Sequence, residues 1–161
     1  MANIGIYGGT FNPPHLGHVL AAKAAKEALG LDKVLLVPDA EPPHKALPEG
    51  SPTPVQRVEM ARLATQDEPW LEVSEMELGR PGKSYTSDTL RALAEQYPGN
   101  TLYLLMGTDM FLSLHTWHEP DVICRLAVIV GMHREEDKDG AMEQQKSLLE
   151  ERFGAKAVVL H

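Results

Sequence analysis

Two histidines three residues apart stand at the end of the run Gly8-Gly9-Thr10-Phe11-Asn12-Pro13-Pro14-His15-Leu16-Gly17-His18. On a helix this spacing projects His15 and His18 from one side. Gly17, between them, carries no side chain where a flat ring or a phosphate could sit. Gly8 and Gly9 permit close backbone approach and Thr10 supplies a hydroxyl. The helix start that follows exposes N–H groups suited to an anion. Together these groups can hold a phosphate and stabilise charge on it. The run has neither the G-x-G-x-x-G spacing of dinucleotide folds nor the G-K-[ST] of a Walker loop. Two competing readings are a metal site, for which no third ligand is evident nearby, and simple capping or packing at a helix start.

Such a loop needs a strand before it and a helix after it. Ile4-Gly5-Ile6-Tyr7 reads as a buried strand, and a helix is expected from His15 or Leu16 to Leu29, where Gly30 stops it. Lys33–Val37 reads as a second strand ended by Pro38, and the proline-rich segment 39–54 as a loop. Further on, the pattern predicts a helix over Val55–Thr65, a short strand over Leu71–Ser74, a helix over Ser87–Tyr97 and a strand over Thr101–Met106. Arg125–Gly131 reads as the clearest buried strand, followed by a helix over Met142–Phe153 and a last strand over Ala157–Leu160. Alternating strands and helices predict an α/β fold, a doubly wound, Rossmann-like parallel sheet covered on both faces. Ligands of such sheets lie at the carboxyl ends of the strands.

The formal charge of −8 argues against non-specific nucleic-acid binding, which relies on clustered Lys and Arg. No run of apolar residues is long enough to span a membrane, and the amino terminus lacks the pattern of a signal peptide. Cys124 is the only cysteine, which removes intrachain disulfides and Cys-rich metal sites. A cytoplasmic location is the expectation, with no nucleic-acid or membrane partner and with homo-oligomerisation left open.

GGTFNPPHLGH resembles the H-x-G-H signature of a superfamily of nucleotidyltransferases. Three later segments resemble one family within it, the bacterial nicotinate-mononucleotide adenylyltransferases. Pro42-Pro43-His44-Lys45 is similar to its P-P-H-[KR], and Ser84-Tyr85-Thr86-Ser87-Asp88-Thr89-Leu90 to its S-Y-T-x-x-T-L. Gly107-Thr108-Asp109-Met110-Phe111, followed by Trp117, is similar to its G-x-D-x-[FL]…W. Each segment also has a plainer reading: Lys45 as a solvated side chain, Thr86 and Ser87 as a helix cap, Asp109 as an N-cap and Trp117 as core.

The resemblance implies a nucleotidyltransferase-type fold and adenylyl transfer from ATP to nicotinate mononucleotide, with Mg²⁺ accompanying ATP and no metal held by the protein itself. The mononucleotide phosphate would attack the α-phosphorus in line, giving deamido-NAD and pyrophosphate without a covalent enzyme intermediate. It implies His18 as the main transition-state donor, supported by His15 and Thr10, with Lys45 and His44 on the mononucleotide phosphate. Gly8, Gly9, Thr10, Phe11, Gly17, His18, Gly107, Asp109 and Arg134 are expected on the ATP side. Thr86, Ser87, Trp117 and the His118 backbone are expected to read the pyridine ring. Residues 1–161 are expected to form one nucleotidyltransferase domain. That domain is expected to lack the family's triphosphate-binding segment, I-S-[ST]-[ST]-x-[IL]-R, because the sequence stops at Leu160-His161, where the segment would begin. A preference for nicotinamide mononucleotide and a truncated, non-catalytic nucleotide-binding module are the alternatives. A flavodoxin-like carrier is disfavoured because the first loop holds histidines rather than a hydroxyl-rich phosphate loop.

Overall fold

The alternation of apolar runs with helical stretches folds as one six-stranded, all-parallel sheet in the computed structural model, which describes residues 2–9, 11, 16–39, 49–78, 85–133 and 140–160. Its elements run β1 (Asn3–Gly9), α1 (Leu16–Leu29), β2 (Lys33–Pro38), α2 (Pro54–Thr65), β3 (Leu71–Val73) and α3 (Thr86–Gln96). They continue with β4 (Thr101–Gly107), α4 (Thr108–Ser113), a 3₁₀ turn (Leu114–Thr116), α5 (Pro120–Leu126), β5 (Val128–Met132), α6 (Ala141–Phe153) and β6 (Ala157–Leu160).

The strand order is β3-β2-β1-β4-β5-β6, so the chain winds outward in one direction from β1 and then in the other from β4. Ile4, Ile6, Leu102, Leu104 and Ile129 face one side and pack with Leu90, Leu93, Phe111, Ile123, Met142 and Leu149 from the helices α3 to α6. Val34, Leu36, Leu105 and Val130 face the other side, with Val19, Ala22 and Ala25 of α1 and Ala61 of α2. Burial on both faces is what makes the strands read as continuous apolar runs. The start of α2 is fixed by a reciprocal cap: the Gln56 N–H donates to the Thr53 hydroxyl at 3.2 Å, and the Thr53 N–H donates to Gln56 Oε1 at 2.8 Å.

One expected element needs correction. The strand expected over Arg125–Gly131 begins at Val128, and Arg125 and Leu126 instead close helix α5. Pro120 in its first turn, Asp121 at its start and Arg125 at its end are helix signals. They were masked because the apolar residues of a buried short helix run straight into those of a buried strand.

Helix α4 and the 3₁₀ turn were not expected at all. Their combined span is too short for a 3.6-residue period to show. The place they occupy is set by Gly131. A Cβ there would lie 2.8 Å from both the Met142 Cε and the Phe111 Cγ, so the missing side chain lets α4 and α6 close on β5. Gly131→Ala should therefore cost about 1–3 kcal/mol by overpacking, read as a fall in melting temperature. An unchanged melting temperature would contradict this contact.

Candidate functional site

β1 and β4 pair from Asn3↔Thr101 to Tyr7↔Leu105, and their ladder ends there. Beyond it Gly8 and Gly9 stay with β2, through Gly8↔Val37 and Gly9↔Pro38. Met106 and Gly107 stay with β5, through Met106↔Gly131 and Gly107↔Met132. Neighbouring strands thus part at their carboxyl ends, where the winding reverses, which is the point at which open parallel sheets form a ligand crevice. A Cβ on Gly8 or Gly107 would meet nothing within 4 Å. Gly107 has φ of −72°, which any residue adopts, so the backbone does not demand glycine there. What glycine provides at both tips is clear space.

His18 sits in the first turn of α1, beside this crevice. Its half-buried ring is held edge-on against Phe11, with centroids 4.9 Å apart and planes at 88°, and near Tyr7 at 6.2 Å. Phe11, expected on the ATP side, turns its ring inward: it is 4% exposed and also stands edge-on to Tyr7 at 5.4 Å. It holds φ of 51°, the left-handed region, at a cost of about 1–3 kcal/mol for a residue with a side chain. The turn is thus bent to place a core ring beneath His18. Burial pushes the Tyr7 phenol above its ordinary pKa, so it stays neutral. Gly17 is exposed in the same helical turn.

A crossover helix of a parallel sheet starts at the same edge, which brings the first turns of α3 and α4 there too. Gly107 is the N-cap of α4, and Asp109 lies exposed in its first turn, where a carboxylate suits the helix dipole. Asp109 is not itself the cap. Nor do Thr86 and Ser87 cap α3: Tyr85 is its N-cap, without a side-chain hydrogen bond. Ser87 is fully buried, and its hydroxyl donates to Glu119 Oε1 at 3.1 Å.

Glu119 joins α3 to the turn that carries Trp117 and His118. Arg91 of α3 grips its carboxylate with both terminal nitrogens, Nη1 at 2.7 Å and Nη2 at 2.8 Å. Arg91 Nη1 also reaches Asp88 at 3.2 Å. His118 stacks on Tyr85 with ring centroids 4.3 Å apart, and its Nε2 lies 3.4 Å from Glu119 Oε1. Trp117 is 8% exposed and packs in the core, its indole N–H donating to the Ser113 hydroxyl at 3.0 Å. Below this turn, buried Gln145 of α6 donates from Nε2 to the Phe111 carbonyl at 3.0 Å and lies 2.9 Å from His115 Nδ1.

The structure therefore brings Gly8, Gly9, Gly17, His18, Gly107 and Asp109 to one edge of the sheet. It links Ser87 to Glu119 and Tyr85 to His118, the residues that adjoin Thr86 and Trp117 in sequence. Thr10, His15, His44, Lys45 and Arg134 lie outside the described residues. Among the described residues, no three His, Cys, Asp or Glu side chains are grouped to hold a metal, and no helix is long and apolar enough to cross a membrane. Sequence reasoning missed Arg91 and Glu119. They are 28 residues apart and nothing in their spacing links them; the S-Y-T-x-x-T-L segment stops one residue short of Arg91.

The Arg91 hydrogen bonds, with a smaller contribution from Ser87, hold the Glu119 carboxyl at about 2, against an ordinary 4.5. A folded pKa below the unfolded one gives stability that is present above pH 4.5 and lost as pH falls towards 2. Glu119→Gln should accordingly lower the melting temperature at pH 6 and leave it nearly unchanged at pH 2. An equal loss at both would show that the charge is not what stabilises the contact.

Residues 6–155 match the cytidylyltransferase-like family model. A protein of Geobacter sulfurreducens described as a probable nicotinate-nucleotide adenylyltransferase is 47% identical over 127 residues, 77% of this chain and 58% of that one. One of Gloeobacter violaceus with the same description is 43% identical over 160 residues, 98% of this chain and 75% of that one. The chain thus spans from 58% to 75% of the length of these two relatives. A Plasmodium falciparum nicotinic acid mononucleotide adenylyltransferase, solved in complex with NaAD, superposes with a TM-score of 0.78 at 20% identity. That superposition covers 99% of this chain and 75% of the other, and at this identity it bears on the fold. The strand order, the crevice at its switch point and these matches agree: the chain belongs to the cytidylyltransferase-like family, among the nicotinate-nucleotide adenylyltransferases it resembles along its length.

Proposed function

We propose that this chain carries the site of a nicotinate-nucleotide adenylyltransferase, joining nicotinate mononucleotide to the AMP half of ATP. The observation that carries the reading is the parting of β1 and β4 between the Gly8–Gly9 and Gly107 tips, with the His18 ring packed edge-on against Phe11. Family membership supplies the reaction class.

The mononucleotide phosphate is already an anion, so the nucleophile needs no base. One of its oxygens forms a bond to the α-phosphorus of ATP while the bond from that phosphorus to the bridging α–β oxygen breaks. Pyrophosphate leaves with the electron pair. The protein's contribution is then position and preorganised donors. His18 donates towards the α- and β-phosphate oxygens, fixed by Phe11 and Tyr7 so that no reorganisation is needed as charge develops. Gly8 and Gly9 admit the phosphates, and Gly107 and Asp109 border the adenosine. We assign His15, Thr10 and Arg134 to ATP, and Lys45 and His44 to the mononucleotide phosphate. Mg²⁺ enters as the MgATP complex, held by phosphate oxygens and water; the proposal places no resident metal on the protein. We read residues 1–161 as one nucleotidyltransferase domain acting in the cytoplasm.

The pyridine ring is assigned to the start of α3, with Thr86 and Ser87, and to Trp117 and His118. Ser87 serves through its backbone N–H, since its hydroxyl is committed to Glu119. Stacking on Trp117 requires the indole to give up part of its burial.

His18→Ala should lower turnover about 100-fold or more, as loss of one preorganised donor does, measured as pyrophosphate release. Turnover close to that of the unmodified chain would remove His18 from the reaction. At Trp117, alanine would empty a core position at about 3–5 kcal/mol, so phenylalanine is the better variant. Trp117→Phe should raise the KM for the mononucleotide several-fold with the ATP KM unchanged. A change confined to ATP would misplace the pyridine.

A further inference from the structure

We propose that Arg91 and Glu119 are a positioning pair that sets the width of the pyridine subsite, and so act on mononucleotide binding without touching ATP. The inference rests on the pyridine assignment above and deepens it. The subsite has two walls from distant parts of the chain. One is the first turn of α3, with Tyr85, Thr86 and Ser87; the other is the turn Trp117-His118-Glu119 leading into α5.

Three observations link the walls through one carboxylate. Ser87 of the first wall and Arg91, further along α3, both donate to Glu119 of the second, at 3.1 Å for Ser87 and 2.7 and 2.8 Å for Arg91. Glu119 holds φ of 51°, left-handed backbone that a side-chain-bearing residue keeps only where its surroundings fix it. Although Glu119 is the N-cap of α5, its side chain makes no capping hydrogen bond and turns across to α3 instead. A capping carboxylate would satisfy its own helix; this one serves the contact between the walls.

The fork also settles which group can meet the ligand. A planar guanidinium beside a pyridine carboxylate would ordinarily be its obvious partner. Here both terminal nitrogens are taken up by Glu119, and Nη1 also reaches Asp88. Three of its five N–H groups are thus committed to protein carboxylates, and the proposal gives Arg91 a positioning role. Because the paired carboxylate and guanidinium run through Glu119, the His118 backbone next to it is carried at a fixed distance from the α3 start. The Tyr85–His118 ring contact at 4.3 Å is a second, weaker tie across the same gap. Lysine at position 91 would keep the charge but lose the two-point grip.

The test is titration calorimetry of this chain with nicotinate mononucleotide and, separately, with MgATP. The proteins are the unmodified chain, Arg91→Met, Arg91→Lys and Glu119→Gln, each with its melting temperature. Arg91→Met and Glu119→Gln should weaken mononucleotide binding about tenfold, the scale of one charge-assisted hydrogen bond. Arg91→Lys should recover part of that loss, with MgATP affinity within about twofold throughout. Unchanged mononucleotide affinity would overturn the inference while leaving the proposed function standing. So would equal weakening of both ligands in step with the melting temperature, which would mark a merely structural contact. An unmodified chain that binds MgATP but not the mononucleotide would overturn the pyridine assignment itself, and the inference with it.

Discussion

Everything at this site depends on one constraint: two parallel strands that are neighbours through Tyr7 and Leu105 must part beyond those residues. A parallel strand cannot turn back directly on its neighbour and needs a crossover. With the order β3-β2-β1-β4-β5-β6, the crossovers from β1 and from β4 lead to opposite sides. Each strand tip therefore follows its outer neighbour, and the gap between them is a consequence of topology. Glycines at Gly8 and Gly107 leave it clear, and helices α1 and α4 begin at this edge. The acidic balance of the chain is no obstacle to a polyanionic ligand, since the donors at such an edge are largely backbone dipoles.

The two sides of the edge are stiffened by different means. On the β1 side the agents are apolar: the Phe11 ring, forced inward by a left-handed backbone, packs edge-on beneath His18. On the α3 side they are polar: a forked ion pair, a buried serine hydroxyl and a ring stack. The difference suits the ligands each is proposed to meet. A donor acting on a transferring phosphoryl group gains from a fixed orientation in a partly dry setting. A subsite for a flat, charged ring gains from two walls at set separation, which paired hydrogen bonds provide more strictly than apolar contact does.

Much of this was legible in the residues. Ile4–Tyr7, the glycine pair and the helix ended by Gly30 announced the strand-loop-helix unit, because turn chemistry and apolar period agree there. The four family segments pointed to His18, Gly107 and Trp117 from the sequence alone. What escaped did so for physical reasons. Helix α4 and the following turn are too short to display a period, and α5 blends into β5 because both are buried. Phe11 read as part of a ligand loop because a residue's left-handed backbone, which turns its ring inward, leaves no mark in the sequence. Ser87 read as a cap because a hydroxyl at a helix start usually is one; its true acceptor, Glu119, lies 32 residues away. Arg91 and Glu119 were invisible for the same reason, since neither periodicity nor spacing encodes a contact between two helices that only the sheet brings together.

The most direct measurement is product formation from ATP and Mg²⁺ with nicotinate mononucleotide, and in parallel with nicotinamide mononucleotide. Both pyrophosphate and the dinucleotide should be followed. The account predicts equal amounts of pyrophosphate and deamido-NAD with the nicotinate form, and much slower reaction with the nicotinamide form. Binding of ATP by the folded chain with no dinucleotide from either mononucleotide would contradict it and leave a nucleotide-binding domain without the transfer reaction.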